Sequence, residues 1–184
     1  MSADLRLEGG VLGIGRGGLH ALRRALERDI GEQAAGALQE AGFAAGDQVY
    51  QAFRRWLREY ARVDDPALLD AARLNEVLTA FFSALGWGSV ALDRLGTSGL
   101  TIDSPDWAEA DPEAGADVPS CFVSTGLLAA FLGYVADRDM AVMELECRSR
   151  GDGHCRFLAG APATLQRVYE GMNAGRDYRE VLEA

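Results

Sequence analysis

Apolar residues recur at helical spacing through most of the first half of the chain. The pattern predicts helices over 19–29 and 32–41, a break at Gly42 and Gly46, and a new helix capped by Asp47. The apolar stripe of this last helix consists of Val49, Tyr50, Phe53, Trp56, Leu57 and Tyr60. Asp65-Pro66 is placed to begin another helix, which carries a similar stripe to Leu85. Aromatic stripes of this kind favour a helical layer that covers a core.

The second half changes to short β-prone segments. Strands are predicted at 89–94, 99–103, 140–145 and 156–159, and a helix at 121–135 is expected to be capped by Ser120. Two further helices are predicted from Pro162 to Met172 and from Asp177 to Glu183, and the acidic segment 104–119 is expected to be an exposed loop. The element order predicts the α+β class, an antiparallel sheet packed by aromatic-rich helices.

The length fits a single domain over residues 1–184. Within it the pattern separates a glycine-rich N-terminal arm (1–18), a helical half (19–85), a sheet half (86–160) and C-terminal helices (161–184). The glycines at 13, 15 and 18 formally match a dinucleotide-binding motif, but no βαβ unit follows them. A glycine-rich arm that leads into a helix is the better interpretation.

Composition narrows the function classes. All 18 basic residues are arginine, so lysine-dependent chemistry such as a Schiff base or a P-loop is excluded. The net charge of −10 argues against direct nucleic-acid binding. No signal peptide or membrane span is predicted, which suggests a cytoplasmic protein with reduced thiols. No catalytic constellation is visible, and an enzyme is not favoured.

The segment 140–159 has the pattern of a β-hairpin with a thiol near each end of its Gly151–Gly153 turn. Cys147 and Cys155, joined by Cys121 upstream, suit a structural zinc site. The chemistry leaves the fourth ligand open among four nearby side chains: Glu144, Glu146, Asp152 and His154. A regular strand would place Glu144 and Cys147 on opposite faces, so Glu144 requires a bulge. Burial of three free cysteines without a metal is the alternative.

The pattern Cys121…Glu144-x-x-Cys147…Gly151-Asp152-x-x-Cys155-x-Phe157 resembles the C-terminal half of the 4-vinyl reductase domain family. The resemblance covers residues 86–160. This family includes bacterial sensor modules for aromatic compounds, accessory proteins of bacteriochlorophyll synthesis and relatives of TRAPP vesicle-tethering subunits. It implies the 4-vinyl reductase/TRAPP-like fold and a structural zinc held by Cys121, Glu144, Cys147 and Cys155.

The same resemblance implies a function. It suggests a bacterial stand-alone sensor or carrier that binds an apolar or aromatic small molecule in a cavity and pairs as a homodimer. By placement, four residues would face that ligand: Trp107, Thr125, Phe131 and Val142. Two alternatives stay open, an accessory factor in tetrapyrrole 4-vinyl reduction and a TRAPP-like interaction scaffold.

Overall fold

The computed structural model describes residues 11–96 and 98–183. Most of the predicted N-terminal arm, residues 1–10, therefore lies outside the described part, and helix α1 already begins at Arg16. The helices are α1 (Arg16–Ile30), α2 (Gln33–Ala61), α3 (Ala71–Ala84), α4 (Phe122–Ala136), α5 (Pro162–Asn173) and α6 (Tyr178–Glu183). The strands are β1 (Ala91–Leu95), β2 (Gly99–Ser104), β3 (Ala141–Glu146) and β4 (Cys155–Gly160).

The described strands form one antiparallel sheet in the order β1-β2-β4-β3. Side chains alternate between the two faces of this sheet, as the pleat requires. Cys155, Phe157 and Ala159 of β4 join the larger core cluster, which α2, α3 and α4 complete. Leu158 faces the other way, into a smaller cluster with residues of α5 and α6. The sheet is thus covered on both faces, and the predicted α+β class is confirmed.

The predicted break at Gly42 and Gly46 is wrong, because α2 runs through both glycines without interruption. The two residues mark a close helix crossing. A Cβ on Gly42 would lie 2.0 Å from the Val123 carbonyl oxygen of α4, and one on Gly46 would lie 2.3 Å from Ala130 Cβ. Gly126 of α4 meets α2 in the same way, since its Cβ would lie 1.9 Å from the Gln39 carbonyl oxygen. Glycine here allows two backbones to touch.

Other helix boundaries also differ from the predictions. Asp65 caps only the short 3₁₀ turn Pro66–Leu68, and Asp70 caps α3 by accepting a hydrogen bond from the Arg73 amide (2.8 Å). The predicted helix start at Asp65-Pro66 is therefore a turn that precedes the helix. At α4, Cys121 rather than Ser120 occupies the N-cap position.

The segment 104–119 is exposed over residues 112–115 and 117–118, as its composition suggested, but around 107–110 it enters the core. Trp107, Glu109 and Ala110 are buried, and Trp107 packs against Phe82 and Phe157 with ring centroids 5.7 Å from each. The indole anchors the segment in the core. Within the described residues, no helix is both long and apolar enough to cross a membrane.

Candidate metal centre

The hairpin of β3 and β4 contains the irregularity that Glu144 needs to act as a ligand. Glu144 pairs with Phe157, but Glu146 pairs with Arg156, so Leu145 is an extra residue in β3. Leu145 accordingly packs into the cluster on the α5–α6 side. Because this bulge adds one residue, Glu144 and Cys147 both face α4, where Cys155 also points.

Four ligand atoms converge between this hairpin and the start of α4. The sulfurs of Cys121, Cys147 and Cys155 and a carboxylate oxygen of Glu144 all lie within 4.8 Å of one another. The Cys121 and Cys147 sulfurs are 3.8 Å apart. Tetrahedral zinc with Zn–S bonds of about 2.3 Å requires sulfurs about 3.8 Å apart. The cluster therefore has the dimensions of a four-coordinate thiolate-rich site.

The electrostatics of the cluster favour a cation. Burial, followed by the charge of the Cys147 thiolate, raises the pKa of Glu144 to about 8. Hydrogen bonds from the Cys121 and Cys155 thiols lower the pKa of Cys147, and the same bond to Cys147 contributes most to raising the pKa of Cys121. Glu144 Oε2 accepts a hydrogen bond from the Cys121 amide (2.8 Å), but its buried Oε1 has no partner. A divalent cation would satisfy that oxygen and stabilise the thiolates, so the donor set fits zinc.

Hydrogen bonds within the turn hold Cys147 in place. Asp152 accepts a hydrogen bond from the Cys147 amide (2.7 Å) and pairs with Arg150, and the Cys147 carbonyl accepts from the Arg150 amide (2.9 Å). Gly151 closes this turn at φ +95°, a conformation that side chains disfavour. Buried Ser149 joins the turn to the segment 104–119 by accepting from the Asp111 amide (2.9 Å).

The other candidates for the fourth ligand lie elsewhere. Glu146 and His154 are on the α6 side of the sheet, where His154 Nε2 lies 3.4 Å from Glu146 Oε2. Arg156 is on the same side and pairs with Asp103 (2.7 Å) and Glu146 (3.0 Å). The Asp152 carboxylate already accepts a hydrogen bond from the Cys147 amide within the turn. Among the residues that the structure describes, the cysteines and Glu144 are the cluster with metal-ligand geometry.

Sequence reasoning missed Glu109, which anchors the start of α4. Its buried carboxylate accepts hydrogen bonds from the amides of Val123 (2.9 Å) and Ser124 (2.7 Å) and from the Ser124 hydroxyl. The same hydroxyl accepts a hydrogen bond from the Trp107 indole (2.7 Å). Burial raises the pKa of Glu109 to about 7, although these hydrogen bonds oppose the shift. A glutamate in an acidic loop carries no pattern that would have singled it out.

The four predicted ligand-facing residues lie in or against the core. Trp107 and Phe131 are fully buried, and Phe131 packs edge-on against Phe53 and Phe82. The Thr125 hydroxyl donates to the Phe122 carbonyl (2.8 Å), and Val142 packs against the same core cluster from β3.

A cavity of about 540 Å³ lies apart from the sulfur cluster, since none of the four candidate metal ligands lines it. Its walls are the N-terminal segment 11–16, one face of α2, the turn Ala84–Trp87 after α3, and the first turns of α4. None of the four predicted ligand-facing residues lines this cavity either.

Comparisons with known proteins agree with this architecture. Residues 107–161 match the model of the 4-vinyl reductase domain family. The fold is similar to the crystal structure of the phenol-responsive sensory domain of the transcription activator PoxR with phenol, at a TM-score of 0.63 and 19% identity, covering 95% of this chain and 84% of that one. It is also similar to a vinyl-4-reductase family protein from Methanocaldococcus jannaschii, at a TM-score of 0.50 and 18% identity, covering 83% of each chain. No curated protein sequence matches. The predicted resemblance to the 4-vinyl reductase domain family is confirmed.

Proposed function

We propose that this chain, which carries a 4-vinyl reductase domain at residues 107–161, is a small-molecule-binding module, a sensor or carrier, stabilised by a structural zinc ion. The observation that carries the proposal is the convergence of three cysteines and Glu144 in a fold similar to that of a phenol-responsive sensory domain. Cytoplasmic location and pairing as a homodimer are part of the same proposal.

The zinc would be held by Cys121, Glu144, Cys147 and Cys155. Three thiolates and a carboxylate fill a tetrahedral shell and leave no open position, so the metal would stabilise the fold and perform no catalysis. Cys121 begins α4, whereas Cys147 and Cys155 belong to the hairpin. The metal would therefore fix helix α4 against the sheet, and α4 is also a wall of the cavity.

A matched pair of carboxamide variants tests the metal site. Glu144→Gln removes the proposed carboxylate ligand, while Glu146→Gln makes the same change two residues away on the opposite face. We expect about one zinc per chain by elemental analysis for the parent and for Glu146→Gln. For Glu144→Gln we expect weaker zinc retention against a chelator and a lower melting temperature. Equal zinc retention in both variants would refute the role of Glu144.

Native mass spectrometry of protein purified from cells tests the ligand-binding part. A retained small molecule, released on denaturation, is the expected result. Bound pigment with porphyrin-like absorbance would instead favour the accessory role in tetrapyrrole 4-vinyl reduction. A chain that neither retains nor binds any small molecule would contradict the proposal and favour an interaction scaffold.

A further inference from the structure

We propose that the small molecule binds in the cavity beneath the segment 11–16, and that this ligand has a bulky apolar body with one anionic or hydrogen-bond-accepting group. This inference rests on the proposed small-molecule function and specifies its site and ligand class. It moves the site away from the four residues that the sequence suggested.

The aromatic core near Phe131 offers little room for a ligand. Phe53, Phe81, Phe131 and Phe157 are fully inaccessible to solvent, and Phe53, Phe81 and Phe131 pack with centroid separations between 5.1 and 6.3 Å. Rings at such distances are in direct contact. A ligand would have to displace closely packed rings in order to enter this region.

The cavity beneath the segment 11–16 has the size of a ligand site. Its volume of about 540 Å³ falls within the range of roughly 300–1,000 Å³ that is typical of small-molecule pockets. Leu12 and Ile14 border it and are 90% and 60% exposed. An apolar ligand would cover these side chains, which otherwise remain in contact with water. The indole of Trp87 supplies an aromatic wall.

The polar groups of the lining limit the ligand chemistry. Among the described residues that line the cavity, Arg16 carries the one charged side chain and Gln48 the one side-chain amide, while no acidic side chain is present. The protein as a whole carries a net charge of −10, whereas the charge contributed by the described lining of this cavity is positive. A ligand with one acceptor or anionic group would place that group at Arg16 and its apolar body against Trp87, Val123 and Leu127.

The start of α4 connects the cavity to the metal centre. Val123 lines the cavity, its amide donates to Glu109, and Cys121 lies two residues earlier. A ligand in the cavity would therefore contact the first turn of α4, next to the proposed zinc ligand Cys121. A shift of this turn on ligand binding would be transmitted through Cys121 to the hairpin of β3 and β4.

Two fluorescent probes that differ by one group test the proposal. N-phenyl-1-naphthylamine is neutral, and 1-anilinonaphthalene-8-sulfonate has the same ring system with an added sulfonate. We expect both to bind the zinc-loaded protein with enhanced fluorescence. Ala45→Trp fills the cavity from α2 and should raise the dissociation constant of both probes about tenfold or more. Ala44→Trp, on the exposed neighbouring position, should leave both unchanged.

Arg16→Gln tests the acceptor group separately. It should raise the dissociation constant of the sulfonate probe about fivefold and change that of the neutral probe less than twofold. Near-ultraviolet circular dichroism and zinc content must match the parent in each variant, because loosened proteins also bind such dyes. Parent-like binding of both probes by Ala45→Trp would overturn the site. Unchanged binding of both probes by Arg16→Gln would overturn the ligand class.

The outcomes separate this inference from the proposed function. If a small molecule is retained from cells and Ala45→Trp still retains it, the function stands and this site is wrong. If the parent retains no small molecule and binds neither probe, the function itself fails.

Discussion

The crossing of α2 and α4 gives the sharpest test of the fold. Replacing Gly126 by alanine adds one methyl group, whose carbon would lie 1.9 Å from the Gln39 carbonyl oxygen and 2.8 Å from the Phe43 amide nitrogen. Gly36→Ala is the matched control, because it makes the same change in α2 where no atom lies within 4 Å. Both substitutions gain about 1 kcal/mol of intrinsic helix propensity.

At Gly126 the clash outweighs the gain in helix propensity, so the substitution lowers the free energy of unfolding. Ordinary van der Waals contact begins near 3.4 Å, so the two helices must separate by about 1.5 Å at this point. A gap of even 1 Å loses up to about half of the dispersion energy of the contacts around it. We expect Gly126→Ala to lower the free energy of unfolding by about 3 kcal/mol, and Gly36→Ala to raise it by about 0.5–1 kcal/mol.

Urea unfolding of the zinc-loaded variants, followed by circular dichroism, measures both values. If Gly126→Ala does not fold, Gly46→Ala provides a second measurement, because its Cβ would meet the Ala130 methyl group at 2.3 Å. Equal stabilities of Gly36→Ala and Gly126→Ala would refute the close crossing and, with it, the reason given for the glycines.

Three further outcomes follow from the loops around α4. Because burial raises the folded-state pKa of Glu109 to about 7, from an ordinary value of 4.5, the protein should lose up to about 3 kcal/mol of stability as pH rises from 4.5 to 7, and Glu109→Gln should flatten this part of the profile. Trp107→Phe removes the hydrogen bond to Ser124 and should lower the free energy of unfolding by about 1–2 kcal/mol. Gly151→Ala, at φ +95°, should cost about 1 kcal/mol and weaken zinc retention.

Denaturant unfolding at several pH values, at constant zinc saturation, measures the pH dependence attributed to Glu109. If the free energy of unfolding of Glu109→Gln falls with pH as steeply as that of the parent, this attribution is wrong. Trp87→Phe is the control for Trp107→Phe, since Trp87 is only partly buried and its side chain makes no hydrogen bond to Ser124. Competition with a chelator checks Gly151→Ala against Gly153→Ala, which lies at the same turn without a positive φ.

Hydrophobic periodicity predicted the strands and the α+β class well, because each strand shows its alternation within a few residues. It failed at Gly42 and Gly46. A glycine in a helical pattern indicates either a break or the close approach of another element, and sequence alone did not distinguish the two. The element that approaches here, α4, is far away in sequence. The acidic composition of 104–119 likewise concealed Glu109, whose burial depends on its hydrogen bonds with the start of α4.

For the candidate metal centre, spacing identified the cysteines, but it left the fourth ligand open. The choice depends on one extra residue, Leu145, which reverses the direction of the side chains after Glu144. Nothing in the local sequence of β3 marks a bulge. The resemblance to a known family indicated Glu144, and the register of the hairpin supplies the physical reason that it can reach the cysteines.

The glycine-lined crossing also bears on how the chain is synthesised. Gly42 in α2 meets Val123 in α4, so α2 leaves the ribosome long before its partner exists. During that interval Phe53 lacks the cover that Phe131 of α4 provides, and of these two rings only Phe81 of α3 is available to pack against it. Such long-range pairing slows folding, since a large loop must close before its contacts contribute. Nascent chains arrested before residue 122 should therefore bind general chaperones, and release should coincide with the emergence of α4.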